Sequence, residues 1–238
     1  MYENRVVVFI DILGFKELIY QSKDNIDRLE GIIKVLKKLH DLCGETGMED
    51  EPEYGFEYDR QVSVFSDSIV ISYREVGPAE YYLAREVIVI QTMLQYLGVF
   101  LRGGLTIGKL YHNGNTVIGP ALIKAYELES KTAIFPRIVM DETTQGDWCM
   151  LAKDFDGICF LDYLGNASEW AYYLEHAEGI TVEECLKKIY LSSLTENHEL
   201  DLRIKAKHDW VRKYVSESIR RTDSQYEVKR LNRSLYYR

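Results

Sequence analysis

Two aspartates stand where aspartates are costly. Asp11 closes the apolar run Val6–Ile10, and Asp67 lies between Val64-Phe65 and Ile69-Val70-Ile71. Side chains alternate along a strand, so Asp11 shares a face with Val7 and Phe9. An unpaired carboxylate there is expensive to bury, so something cationic must compensate. Each residue alone has a plain structural explanation, Asp67 as a turn former and Asp11 as a cap on the following helix. Together, two hard oxygen ligands at neighbouring strand ends can hold one or two divalent ions, Mg²⁺ or Mn²⁺, with the backbone carbonyl of Ile12 as a third oxygen. Such ions bridge a triphosphate and lower the pKa of an attacking hydroxyl. The turn Ile12-Leu13-Gly14-Phe15 opens a helix whose free N–H groups suit phosphate oxygens, and Gly14 permits close backbone approach.

These groups need a strand, a hairpin and a helix start to position them. Val6–Asp11 reads as a buried strand covered on both faces. Leu18, Ile26, Leu29, Ile33, Leu36 and Leu39 recur at helical spacing from about Lys16 to Leu42, with a break near Ser22. Glu45–Tyr58 is acidic and carries Gly and Pro, which predicts a loop. Gln61–Phe65 and Ile69–Tyr73 around Ser66-Asp67-Ser68 predict a hairpin. A helix over Pro78–Leu97 and a strand over Val99–Tyr111 follow, and Thr116–Ile118 leads into a helix from about Pro120 to Lys131. Strands at Pro136–Met140 and Gly157–Tyr163 complete a mixed α+β order. Beyond Asn166 the texture becomes helical, over Ala167–His176 and one long charged helix Val182–Tyr214. The division expected is a core over 1–165 and a helical extension over 166–238. The basic tail Arg220–Arg238 reads as a solvated segment, with an anion-binding arm as its alternative.

The 238 residues carry a formal net charge of −9. An acidic chain is a poor partner for nucleic acid or an anionic membrane, and it needs a cation to accept a polyphosphate. The four cysteines form no C-x-x-C pair, which predicts reduced thiols in a cytoplasmic protein. The five histidines show no ligand spacing, so no zinc site is expected. No apolar run approaches a membrane span.

The segments Phe9-Ile10-Asp11-Ile12-Leu13-Gly14-Phe15, Val64-Phe65-Ser66-Asp67-Ser68, Leu101-Arg102-Gly103-Gly104-Leu105-Thr106-Ile107-Gly108 and Val117-Ile118-Gly119-Pro120-Ala121-Leu122-Ile123-Lys124-Ala125-Tyr126-Glu127-Leu128-Glu129, in this order and spacing, resemble the class III nucleotidyl cyclase family. The resemblance spans roughly Val6 to Met140. It implies a ferredoxin-like core and a head-to-tail homodimer with composite active sites. It implies two metal-binding aspartates, Asp11 and Asp67, and two Mg²⁺ or Mn²⁺ ions per site. It also implies in-line attack of a ribose 3′-hydroxyl on the α-phosphorus of a nucleoside triphosphate, with pyrophosphate leaving. The family's transition-state Asn and Arg fall on Ile123 and Glu127, which cannot do that work in the same way; Lys124 is the nearest cation. Its adenine-reading Lys and Asp fall on Ser63 and Thr116. The opening Asp-Ile-Leu-Gly-Phe, the Phe-Ser-Asp-Ser hairpin, Phe135-Pro136-Arg137-Ile138 and, less specifically, Lys207-His208-Asp209-Trp210-Val211-Arg212-Lys213-Tyr214 look closer to the pyrimidine cyclases of bacterial anti-phage signalling. This implies a cyclic UMP or cyclic CMP product, UTP favoured over CTP, read by a separate effector protein.

Other candidates carry alternatives. Arg102 contacts a phosphate or pairs with a carboxylate. Arg137 holds nucleotide or forms a structural ion pair. Lys124 is catalytic or solvated. Tyr58 and Arg60 stack on a base, or Tyr58 packs in the core or at the dimer interface. A purine cyclase and a catalytically inactive nucleotide-binding or interaction domain are the competing functions. The intact aspartate pair argues against the last, and Ile123 and Glu127 argue for it.

Overall fold

Alternation along strand β1 (Glu3–Ile12) sends Val6, Val8, Ile10 and Ile12 into the larger of two hydrophobic cores and Val7 and Phe9 into the smaller. The strand is thus covered on both sides along its middle, as its composition predicts. A computed structural model describes residues 1–45, 57–144, 148, 150–194 and 201–236, with side chains through Arg221 except those of residues 45 and 177. Most of the expected loop Glu45–Tyr58 and most of the basic tail's side chains lie outside the described residues.

The helical stretch after Gly14 is two helices, α1 (Phe15–Ser22) and α2 (Ile26–Glu45). The break has a local cause: the Asn25 side chain accepts the Arg28 N–H at 3.0 Å and starts the second helix. Strands β2 (Gln61–Phe65) and β3 (Ser68–Arg74) form the hairpin, followed by α3 (Ala79–Tyr96) and β4 (Leu101–Asn113). The succession strand, helices, hairpin, helix, strand places β4, β1, β3 and β2 side by side, all antiparallel, in the ferredoxin-like arrangement. Helix α3 is buried almost all round because the sheet covers one side and other helices the rest.

β4 turns back into β5 (Thr116–Ile118), then α4 (Pro120–Glu127) and a π-helical turn Leu128–Thr132 lie over the second face of the sheet. Gly104 makes this packing possible: a Cβ there would meet the Leu128 Cβ at 2.5 Å and the Glu129 backbone nitrogen at 3.0 Å. β6 (Ile138–Met140) adds parallel to β4, and β8 (Cys159–Leu161) and β7 (Leu151–Lys153) extend the sheet.

The helical tail is α5 (Ala167–Tyr173) with a π-helical turn Leu174–Glu178, then α6 (Val182–Ser192) and α7 (Leu202–Tyr236). The single helix expected over Val182–Tyr214 is therefore two. The Ser192 and Ser193 hydroxyls bond the carbonyls of Ile189 and Tyr190, the local bonding by which serine ends a helix. Trp210 of α7 stacks on Phe135, and Tyr214 donates to Asp162 at 2.6 Å, so α7 is fastened to the core. Among the described residues Cys43, Cys159 and Cys185 are free, and no helix is long and apolar enough to cross a membrane.

Candidate active site

Asp11 and Asp67 reach the same edge of the sheet from different segments. Asp11 lies opposite Ser68 on β3 and opposite Arg102 on β4. Asp67 occupies the hairpin turn next to Ser68, and its carbonyl accepts the Ile12 N–H at 3.0 Å. The turn is tight enough to hold Ser66 at φ 59°. Local strand pairing alone thus carries both carboxylates to one place.

Their electrostatics favour a cation. Burial lifts the Asp11 carboxyl above the usual carboxylate range; Arg102 pulls it down and the Asp67 charge pushes it up. Arg102 is a loose partner for Asp11, at 3.4 Å from its Nε, because the same nitrogen lies 2.5 Å from the buried carboxylate of Glu129. Asp67 forms no ion pair with a lysine or arginine among the described residues. Nor do those residues include any group of three or more His, Cys, Asp or Glu side chains suited to a metal. Two carboxylates and the Ile12 carbonyl, completed by phosphate oxygens and water, fit Mg²⁺ or Mn²⁺ rather than a fully protein-caged ion.

Beside the aspartates, Gly14 begins α1 at φ 77°, with no side chain capping the helix and with open space where a Cβ would stand. The first-turn amides from Phe15 onward therefore lack intrahelical acceptors. Leu13 is a correction to the expected phosphate cradle: its N–H is committed to the Phe100 carbonyl at 2.9 Å, which leaves the role to Gly14 and Phe15.

A groove of about 310 Å³ lies between α4 and the strands β1, β2 and β3. Phe9 and Val70 lie in it together with Phe65, Val117, Ile123 and Tyr126. Phe65 is 45% exposed, Ile123 63% and Tyr126 53%, so an apolar face stands open to solvent. Thr116 is exposed on the rim, adjacent to Val117.

The remaining predicted residues sit elsewhere. Ser63 is buried and takes part in an interior chain of hydrogen bonds. Arg5 Nε donates to Ser72 Oγ at 2.9 Å, Ser72 Oγ lies 2.8 Å from His112 Nδ1, His112 Nε2 lies 2.9 Å from Ser63 Oγ, and Ser63 donates to the Gly114 carbonyl at 2.6 Å. Each hydroxyl has one proton. The Ser63 proton goes to Gly114, so Nε2–H of His112 donates to Ser63, and in the neutral ring Nδ1 accepts from Ser72, an assignment drawn from the network. Ser63 is thereby saturated as a donor and turned inward, which removes it as a direct reader of the base. Burial first, then the Arg5 charge, holds the His112 ring down at about 4.

Tyr58 and Arg137 are also corrections. Tyr58 is fully buried, edge-on to Tyr73 and Tyr82, so it cannot stack on a base. Arg137 is likewise fully buried: it pairs with Asp154 and Asp156 and lies over the rings of Phe135 and Trp210. Arg60 pairs with the buried Glu86 at 2.5 Å. Lys124 is half-exposed, with Nζ 3.6 Å from Asp141, which also accepts from Thr106. Thr106 lies four residues along β4 from Arg102, so Lys124 is not gathered with Asp11. On the same helix Glu127 pairs with Lys131 at 2.7 Å. Sequence reasoning gave no site role to Glu129 or to Lys207, the latter a lysine of α7 whose charge acts on Asp11.

No family model matches the chain, and no curated protein matches it significantly. Among solved structures it is similar to the catalytic core of a rhodopsin-guanylyl cyclase with converted specificity in complex with ATPαS, at 14% identity and TM-score 0.48, over 67% of this chain and 95% of that one. It is also similar to two structures of bacterial light-regulated adenylyl cyclase. One shows 13% identity and TM-score 0.47 over 90% of this chain and 58% of that one; the other shows 15% and 0.45 over 67% and 51%. The chain thus spans little more than half of those two. Likeness at this level carries no argument about activity, which must rest on the side chains.

Proposed function

We propose that the protein is a nucleotidyl cyclase that converts a pyrimidine nucleoside triphosphate, UTP in preference to CTP, into its 3′,5′-cyclic monophosphate and pyrophosphate. The observation that carries the reading is the convergence of Asp11 and Asp67 at one sheet edge, mutually repelling and under-compensated, beside an uncapped helix start. When bound there, Mg²⁺ or Mn²⁺ polarises phosphate oxygens and acidifies the ribose 3′-hydroxyl. In this account Asp11, Asp67 and the Ile12 carbonyl hold the ions. The Gly14 and Phe15 amides orient the phosphate chain for in-line attack and for departure of pyrophosphate. Arg102 steadies the Asp11 carboxylate and adds positive charge near the phosphates.

The open apolar face of Phe65, Ile118, Ile123 and Tyr126 supports a homodimer, with α4 of each copy turned toward the site of the other. We assign catalysis to residues 1–165, with 166–238 as a helical extension, in a cytoplasmic enzyme. The likeness of its motifs to pyrimidine cyclases supports a role as a second-messenger source in anti-phage defence, its product read by a separate effector. Incubation with each of the four nucleoside triphosphates and Mn²⁺, with products identified by mass, tests the proposal. Cyclic UMP or CMP supports it, and cyclic AMP or GMP replaces the pyrimidine assignment. Absence of turnover leaves the second reading, a nucleotide-binding module, which the pairing of Glu127 at the end of α4 with Lys131 favours.

A further inference from the structure

Helix α7 enters the structure at the phosphate end of the sheet. Its His208 ring lies edge-on to Phe100 at 4.9 Å, and the Phe100 carbonyl accepts the Leu13 N–H. One residue therefore joins α7 to the loop that opens α1, and Arg102, two residues on, reaches Asp11. Trp210 donates to Asp154 at 2.7 Å and fixes the same turn of α7 to the core. Immediately before these anchors stands Lys207. It is partly buried and makes no hydrogen bond or ion pair among the described residues. Its surroundings hold both signs of charge, Arg102 and Arg203 against Asp11 and Asp201, and burial outweighs them all in holding its ammonium below the ordinary lysine value. A partly desolvated cation without a counter-ion is unfavourable until an anion arrives. Arg102 is already divided between two carboxylates.

We infer that Lys207 binds the triphosphate tail of the nucleotide held at Asp11 and Asp67, so that the C-terminal helix supplies part of the active site. The inference rests on the nucleotide reading proposed above, and it makes 166–238 a contributor to substrate binding rather than an appendage. It is tested by titrating the full-length protein with inorganic tripolyphosphate and Mn²⁺ in a calorimeter, alongside steady-state kinetics. Lys207→Gln should weaken tripolyphosphate by about tenfold or more, the loss of a charge-assisted hydrogen bond, and should raise KM for the nucleotide by a similar factor with a smaller change in kcat. Lys207→Arg should restore most of the affinity. Lys205→Gln, an exposed lysine of the same helix, should change nothing, which separates a local role from loss of charge or fold. Tripolyphosphate binding that is absent in the wild type, or equal in wild type and Lys207→Gln, overturns the inference even if cyclic nucleotide is made. Lys207-dependent binding without turnover of any nucleotide upholds it and sinks the cyclase reading instead.

Discussion

Acidification should unfold this protein partly through one histidine. His112 is buried between Ser72 and Ser63, and its ring titrates at about 4 against an ordinary value of 6.5. The unfolded chain therefore takes up the proton first. Between about pH 6.5 and 4 it binds more protons at this position than the folded protein does, so stability falls as pH is lowered through that window. The shift corresponds to roughly 3 kcal/mol once pH is below 4, and to about 1.4 kcal/mol already at pH 5.5. Urea unfolding from pH 7.5 to 4.5 should show this decline in the wild type. In His112→Asn the protein starts less stable, because Ser63 and Ser72 lose a shared partner, but the part of the decline due to the imidazole disappears. Carboxylates titrate equally in both proteins, so the difference between the two curves isolates the histidine. Parallel curves would refute the neutral-tautomer assignment.

Gly104→Ala should lower stability by about 2 kcal/mol, because the new methyl faces Leu128 and the backbone of Glu129 rather than a flexible side-chain end; the urea midpoint measures it. Ile123→Asp places a charge in the exposed apolar face and should shift sedimentation toward monomer and reduce turnover together, with the thermal midpoint within a few degrees of wild type. An unchanged sedimentation coefficient would take Ile123 out of the dimer contact.

The strands that carry the aspartates were legible because their signal is local. Val6–Ile10 is apolar throughout, and Ser66-Asp67-Ser68 breaks two β-rich runs, so both the ladder and the turn follow from neighbouring residues. The break at Asn25 was legible near Ser22 for the same reason. What escaped is long-range. For Arg137 the ion pair was the favoured reading over a nucleotide ligand, but its partners, Asp154 and Asp156, come from another turn of chain that the sequence does not bring near. Ser63 aligned with a base-reading position, but its hydroxyl is claimed by His112, forty-nine residues away. Tyr58 carries no mark in the sequence that separates a stacking tyrosine from a core one; its packing against Tyr73 and Tyr82 decides. Three-residue β7 is too short for periodicity to reveal. Lys207 was hidden because nothing near residue 207 announces that its helix ends beside β4.

The paired carboxylates are the centre of the account, and turnover by Asp11→Asn and Asp67→Asn tests them most directly. Each variant removes one hard ligand while keeping nearly the same shape, so each should cut cyclic-nucleotide formation by about 10³-fold or more with the fold and association state unchanged. Full activity in either variant, measured with Mn²⁺ and the preferred nucleotide, would contradict the two-aspartate site.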